Sequence, residues 1–420
     1  MGGRQITRRV LPFLPVQPVL PGGRSVTCAL MRTFRLAIAL LALGALVFIS
    51  RPYAHGLTFV VRVTEMHGAA RTIADLDTVS VQERDITIPT TAGAMRARAY
   101  EPRSPHRAAL LTSGLHASGI DEPRLVRLAR QLSAGGVTVV TPDIPELSRF
   151  EITPAITDAI ERAAGWLAME SGLAQQGPVG LMGISFSGGL SIVAAGRPSL
   201  AGHLAYVFAL GGHDDLPRVL RYLCTGSERY PAHELGIQSD RPFVLAPHDY
   251  GVAVILMATA DRVVPKAQAA PLREAVRRYL LASALDSNVD KAAAAREFDA
   301  LKQLARTMPE PSATLLRYVN ERDVVHLGPR LLPFIGISAA DAALSVSRSP
   351  KPSVPVFLLH GTEDNVIPSL ESEYLAQDLR GHAPVRLLLS GLISHAETDR
   401  PVRLGDVMQL AGFWGDLLSR

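Results

Sequence analysis

A strand-like run, PVGLM, ends at Gly183-Ile184-Ser185-Phe186-Ser187-Gly188-Gly189, and a helix-like run, LSIVAA, follows at once. Small residues two places before and after a serine let the chain reverse sharply from strand to helix, which lifts the hydroxyl clear of the sheet. This is the setting in which Gly-x-Ser-x-Gly works as a nucleophile elbow, although Ser187 here replaces the second glycine. Serine is still small, and Gly188 and Gly189 keep the strand–helix approach close. Such a serine could do acyl transfer: its oxygen attacks a carbonyl carbon and carries the acyl group as an ester. A hydroxyl is a weak nucleophile, so a base must take its proton and an acid must orient that base. On a strand–turn–helix elbow of this kind the chain order is serine, acid, histidine.

Two later strands supply candidates. VPVFLLH runs into His360-Gly361-Thr362-Glu363-Asp364-Asn365-Val366-Ile367-Pro368, and VRLLL into Ser390-Gly391-Leu392-Ile393-Ser394-His395. With the elbow, these segments resemble the α/β-hydrolases, whose acid loop commonly reads H-G-x-x-D-x-x-[VI]-P. The resemblance covers about residues 79–212 and 350–420. It implies Asp364 as the acid and His395, 31 residues later, as the base, a spacing that suits one helix and one strand. His395 would take the proton from Ser185 and return it to the leaving group, while Asp364 would fix the imidazole tautomer. Two backbone N–H groups would hold the oxyanion. The resemblance implies Phe186, directly after the nucleophile, and Leu115, in Ser113-Gly114-Leu115-His116-Ala117 after strand AALLT. His116 is the alternative donor and a candidate substrate contact. Where the family often has His-Gly, this chain has Ser113-Gly114.

The elements that must position these residues are legible in the hydrophobic pattern. Period-2 alternation in VSVQERDITI and MRARAY predicts a strand pair, Val79–Pro89 and Ala94–Tyr100. Buried strands are expected at Ala108–Thr112, Val137–Thr141, Val179–Met182 and Leu204–Leu210, with helices at Pro123–Ala134, Thr153–Glu170 and from Leu190. Short apolar strands between helices imply a mostly parallel central sheet with helices on both faces. Residues 215–345 are helical by pattern, and the strand rhythm then returns at Val354–Leu359 and Val385–Leu389 before a closing helix, Val407–Ser419. The expected architecture is an α/β-hydrolase domain over 79–420 with an inserted helical cap at about 215–345. Such a cap would close the pocket and select the acyl or alcohol group.

Three other acids compete for the role of Asp364. Asp214 and Asp215 follow the strand AYVFALGG and are reserve candidates. Asp261 follows GVAVILMATA and precedes Arg262-Val263-Val264-Pro265, but no histidine lies between His248 and His326 to serve it. That apolar stretch is long for a strand, and Asp249 before it reads as a helix N-cap, so a cap helix is predicted there. His360 is expected to brace its own turn. No His-Glu metal motif, P-loop or Gly-x-Gly-x-x-Gly after a strand occurs, so neither a metal nor another cofactor is expected.

Composition narrows the function classes. The 420 residues are 47% hydrophobic and 20% charged, as in packed globular proteins, and two cysteines exclude a disulfide scaffold. The net charge of +4 sits in an arm. The first 35 residues hold six arginines and no acid, so 37 of the 43 basic residues remain against 39 acidic ones, a net of −2. Nucleic acid binding thereby loses its electrostatic support. Residues 1–33 read as a disordered basic arm, 34–50 as a transmembrane or signal-anchor segment and 51–78 as a linking helix, helical over 55–75. Met31 before RTFRLAIALLALGALVF would itself make an export start, which intact mass of the native protein would check. Arginines before the span put the N-terminus in the cytoplasm and the globular part outside; secretion after cleavage is the alternative.

These features predict a membrane-anchored serine hydrolase acting on a small-molecule or lipid-like acyl substrate, without nucleic acid. A serine peptidase or thioesterase with the same triad, or an inactive membrane-tethered binding module, are the alternatives.

Overall fold

The computed structural model describes residues 2, 34, 38, 41, 44, 50–91, 93–175, 177–226, 245–286, 290–393 and 404–420. They belong to two units, residues 1–51 and 52–420. In the first, Phe34, Ile38, Leu41, Gly44 and Ser50 are helical and exposed. The rest of the expected membrane segment, and nearly all of the basic arm, lie outside the described residues. Among the described residues no helix is long and apolar enough to cross a membrane.

The second unit is built on eight strands: β1 Val81–Thr90, β2 Gly93–Pro102, β3 Arg107–Thr112, β4 Val137–Pro142, β5 Val179–Ile184, β6 Leu204–Leu210, β7 Val356–Gly361 and β8 Val385–Ser390. They form one sheet in the order β1-β2-β4-β3-β5-β6-β7-β8. Strand β2 is antiparallel to both neighbours and every other pairing is parallel. This is the α/β-hydrolase fold.

The helices are α1 (residues 52–63), α2 Ala69–Asp75, α3 Pro123–Ala134, α4 Pro145–Ser148, α5 Pro154–Met169 and α6 Phe186–Ala195. Between β6 and β7 the described chain is helical: α7 Leu216–Thr225, α8 Asp249–Val263, α9 Lys266–Asp286, α10 Lys291–Thr307, α11 Ser312–Asn320, α12 Val324–Leu331 and α13 Ile335–Ser338. Helices α14 Leu370–Asp378 and α15 Leu404–Leu418 complete the unit.

The apolar strands read as continuous runs because both sheet faces are covered, with alternate residues serving different cores. Leu110, Leu181, Val207 and Leu358 face a core shared with α5, α6 and the helices between β6 and β7. Leu111, Met182, Phe208 and Phe357 face another, shared with α1, α3 and α15. In the second, Trp414 of α15 packs 4.5 Å from Phe59 of α1 and 5.1 Å from Phe208 of β6, ring centre to ring centre. Each such buried side chain contributes about 1.5–3 kcal/mol, so the two cores clamp the sheet whose strand ends carry the site.

Three local expectations are corrected. The linking helix is two helices, α1 and α2, parted by Gly68 at φ +79, a conformation open to glycine and costly to other residues. Helix α6 starts at Phe186 rather than Leu190, because Phe186 to Gly189 are buried and tertiary packing overrides the low helix propensity of the glycine pair. The N-cap of α8 is His248, whose Nδ1 accepts the Tyr250 N–H at 3.2 Å, and Asp249 is inside the first turn, accepting the Tyr279 hydroxyl at 2.5 Å.

The seat of α1 on α15 depends on glycine. A Cβ on Gly56 would lie 1.9 Å from the Ala411 carbonyl oxygen and 2.5 Å from the Gly415 nitrogen. Gly56→Ala should therefore cost about 1–3 kcal/mol, the usual penalty for overpacking. Urea denaturation followed by tryptophan fluorescence measures it, and a wild-type midpoint would show that α1 is not held this closely.

Candidate active site

Ser185 joins β5 to α6 with φ +59 and ψ −130, outside the ordinary regions for an L-residue. Its N–H donates to the Leu210 carbonyl of β6 at 2.7 Å, and its carbonyl accepts the Gly188 N–H at 2.8 Å. At Gly183, two residues earlier, a Cβ would stand 2.3 Å from the Ser187 carbonyl oxygen, so the reversal admits glycine alone. At Gly189 it would stand 2.5 Å from the His213 carbonyl oxygen, which lets α6 pass close to the loop after β6.

Ser187, the departure from the glycine pattern, has a task of its own. Its buried hydroxyl accepts the Ile184 N–H at 3.0 Å and lies 2.8 Å from the Ile184 carbonyl and 3.1 Å from the Thr112 carbonyl, either of which can take its proton. Thr112 is the last residue of β3, so this hydroxyl ties the elbow to the strand that leads into the loop of Leu115. In the sequence Ser187 reads only as a small residue, and the one signal of this role is a hydrogen-bonding side chain where the pattern has glycine.

That loop lies against the elbow. A Cβ on Gly114 would be 3.3 Å from Cβ of Ser185. Phe186 is the first residue of α6, where helix N–H groups have no partner within the helix. Among the described residues, no acceptor takes the N–H of Phe186, Leu115 or His116. The Leu115 carbonyl accepts the Tyr250 hydroxyl at 3.3 Å, a contact from α8. His116 is half-buried; its Nδ1 accepts the Ser118 N–H at 3.2 Å, which leaves the proton on Nε2. Burial, outweighing nearby Glu122, pushes its pKa down, so at pH 7 the ring is neutral. Glu122 caps α3 through the Leu125 N–H at 2.7 Å.

Asp364 is buried in the loop between β7 and α14. Its Oδ1 accepts the N–H groups of Val366 at 2.9 Å and Ile367 at 3.0 Å, and its Oδ2 lies 3.3 Å from Nε2 of His360. His360 braces the same turn, with Nε2 2.9 Å from the Ile367 carbonyl and Nδ1 2.6 Å from the Ser372 hydroxyl. The end of β6 links acid and elbow: Leu210 accepts the Ser185 N–H, and a Cβ on the next residue, Gly211, would be 3.3 Å from Oδ2 of Asp364. His395 lies outside the described residues. Ile393, two residues before His395 in sequence, has its carbonyl oxygen beside Gly361, where a Cβ would come within 2.3 Å.

The competing acids are engaged elsewhere. Asp261 sits on α8, exposed and paired with Arg273 at 2.6 Å. Asp215 is the N-cap of α7, accepting the Arg218 N–H at 2.9 Å. Asp214 is buried and takes Nη2 of Arg218 at 3.0 Å. Glu371, fully buried in the first turn of α14, accepts Nε of Arg218 at 2.6 Å and the backbone N–H groups of Asp214 at 2.9 Å and Asp215 at 3.1 Å. This cluster, which no local motif announces, joins the start of α7 to the helix that follows the acid loop. Burial, reinforced by Glu371 and opposed by Arg218, pushes the pKa of Asp214 up to about 7.

No protein-family model matches the chain, and no curated protein matches it. Among solved structures, an esterase from Pyrobaculum calidifontis is similar at 16% identity, over 88% of this chain and 92% of that one, with a TM-score of 0.42. A thermophilic carboxylesterase from a metagenomic library is similar at 13% identity, over 83% and 92%, with a TM-score of 0.42. A dienelactone hydrolase from Anabaena variabilis is similar at 16% identity, over 80% and 96%, with a TM-score of 0.38.

The buried carboxyl of Asp214 makes a pH prediction. An unfolded chain releases this proton near pH 4, whereas the folded chain holds it until about pH 7. In that window the native state binds more protons, so the contribution of Asp214 to stability falls as pH rises. Asp214→Asn, which stays neutral, should therefore gain in Tm relative to wild type between pH 5 and pH 8. Thermal melts across that range test this; a constant difference, or one that shrinks with rising pH, would mean Asp214 is ionised throughout.

Proposed function

We propose that the chain is a serine hydrolase that cleaves an ester or related acyl bond through an acyl-enzyme on Ser185. His395 acts as general base, Asp364 as orienting acid, and the N–H groups of Phe186 and Leu115 hold the oxyanion. The observation that carries this reading is the backbone of Ser185, a non-glycine residue at φ +59 on a strand–helix turn with buried glycines around it. Strain of this kind clusters where a side chain must be presented for chemistry. The carboxylate of Asp364 adds support, since two backbone N–H groups keep it in one orientation.

In the proposed reaction the Ser185 oxygen attacks the substrate carbonyl carbon as His395 removes the hydroxyl proton. The proton passes to the departing alcohol, and water then repeats the sequence to release the acid. We propose further that the apolar run 34–50 is a membrane anchor, and the arginines before it favour an N-terminus in the cytoplasm.

Kinetics on p-nitrophenyl esters of graded chain length, run beside aminopeptidase and thioester substrates, test this reading. Ser185→Ala should lower kcat by about 10⁴–10⁶-fold with the fold intact; retention of more than a few per cent of wild-type turnover would remove the nucleophile. Asp364→Asn should lower kcat by about 10³–10⁴-fold, in line with loss of a triad acid. Asp261→Asn, which breaks an exposed pair with Arg273, should change kcat less than about tenfold. Reversal of those two results would move the acid to α8.

A further inference from the structure

The first turn of α8 touches both loops that the proposed chemistry needs. The His248 N–H donates to the carbonyl of Asn365, the residue after Asp364, at 2.9 Å. Two residues on, the Tyr250 hydroxyl donates to the carbonyl of Leu115 at 3.3 Å. Tyr250 stands on a firm base: its ring meets Phe150 edge-on at 6.0 Å, and Phe150 is itself buried and held at φ +61. Burial pushes the phenol pKa up, so the hydroxyl keeps its proton and remains a donor.

We infer that Tyr250 is a positioning residue, supplied by the helices between β6 and β7, that anchors Leu115 by its own carbonyl and so keeps this residue's N–H in the orientation an oxyanion requires. The inference rests on the acyl-transfer reading and extends it to a residue outside the triad and its two N–H donors. Three features of the site lead to it. First, the loop from Ser113 to His116 has no strand to hold it beyond Thr112, and it leans on the elbow through Gly114, which has no side chain. Second, a hydrogen bond to the Leu115 carbonyl pins the residue whose N–H is the proposed oxyanion donor, and also fixes and polarises the next peptide, whose N–H, on His116, is the alternative donor. Third, the same turn of α8 is bonded to the acid loop through Asn365, so the helical segment sets both loops against a common reference. Oxyanion donors act only when aimed at the developing charge, and a misplacement near 1 Å can cost about 100-fold in rate.

Tyr250→Phe removes the hydroxyl and leaves the ring against Phe150, which makes it the informative variant. In the full chain, kcat on p-nitrophenyl acetate should fall about tenfold while KM changes less than about twofold, because the contact acts on the transition state and leaves ground-state binding alone. The pH profile of kcat/KM should keep its wild-type shape, since Tyr250 moves no proton, and the Tm should stay near that of wild type. Tyr250→Ala should lower kcat at least as far and also lower the Tm, through the cavity beside Phe150. A Phe variant with wild-type kcat would overturn the proposal alone. A fall in kcat tracked by loss of Tm, or by loss of the alkaline limb of the profile, would overturn it in favour of a packing or proton-transfer role. A wild type with no hydrolysis of any ester would remove the acyl-transfer reading and this proposal together.

Discussion

Everything in the proposed site hangs on one backbone conformation. Holding a serine at φ +59 and ψ −130 costs about 1–3 kcal/mol, and it persists only where the surroundings leave no alternative. Those surroundings come from three strands. The end of β6 takes the Ser185 N–H, β5 contributes Gly183 with no room for a side chain, and β3 is bound through the Ser187 hydroxyl and the Thr112 carbonyl. Relaxing Ser185 to an ordinary conformation would break the bond to Leu210 and push α6 away from Gly212 and His213. The parallel sheet and its two cores are large enough to absorb that local cost.

From the elbow the same logic runs outward. The end of β6 passes from Leu210, bonded to Ser185, to Gly211, pressed beside Asp364, and then to Asp214, joined through Arg218 to Glu371. Glu371 lies in the first turn of α14, directly after the acid loop, so the start of that helix and the start of α7 are held by one buried side chain. Removing one partner of a buried ion pair commonly costs about 3–5 kcal/mol, comparable with a large part of a domain's stability. The helical segment between β6 and β7 is thus anchored at its base by charge and reaches back over the site through the first turn of α8.

Much of the fold was legible because hydrophobic period alone separates these elements. The strand Leu204–Leu210 and the helix Pro123–Ala134 fall where the apolar pattern puts them, and the ends of the other strands differ by at most two residues. The long apolar run after Asp249 is a helix, as its length indicated. What escaped was decided at long range. Helix α6 begins on residues that read as a turn, because packing against β6 makes them helical. The bonds of Ser187 to Thr112, of Arg218 to Glu371 and of Tyr250 to Leu115 join residues 75, 153 and 135 positions apart. Their sequence surroundings hold no periodicity that could announce them. The elbow pattern supplied Ser185 and the resemblance to hydrolases supplied Asp364, both through local motifs, and local motifs say nothing about which distant side chains hold them.

The central claim is that Ser185 is an activated nucleophile, and its covalent capture tests that most directly. The full chain, folded near neutral pH, is treated with a fluorophosphonate, and intact mass is read before peptide mapping. The account predicts one adduct per chain, on Ser185, formed by native protein and not by urea-denatured protein. No adduct on the native chain, an adduct on a different serine, or equal labelling of folded and unfolded protein would contradict it.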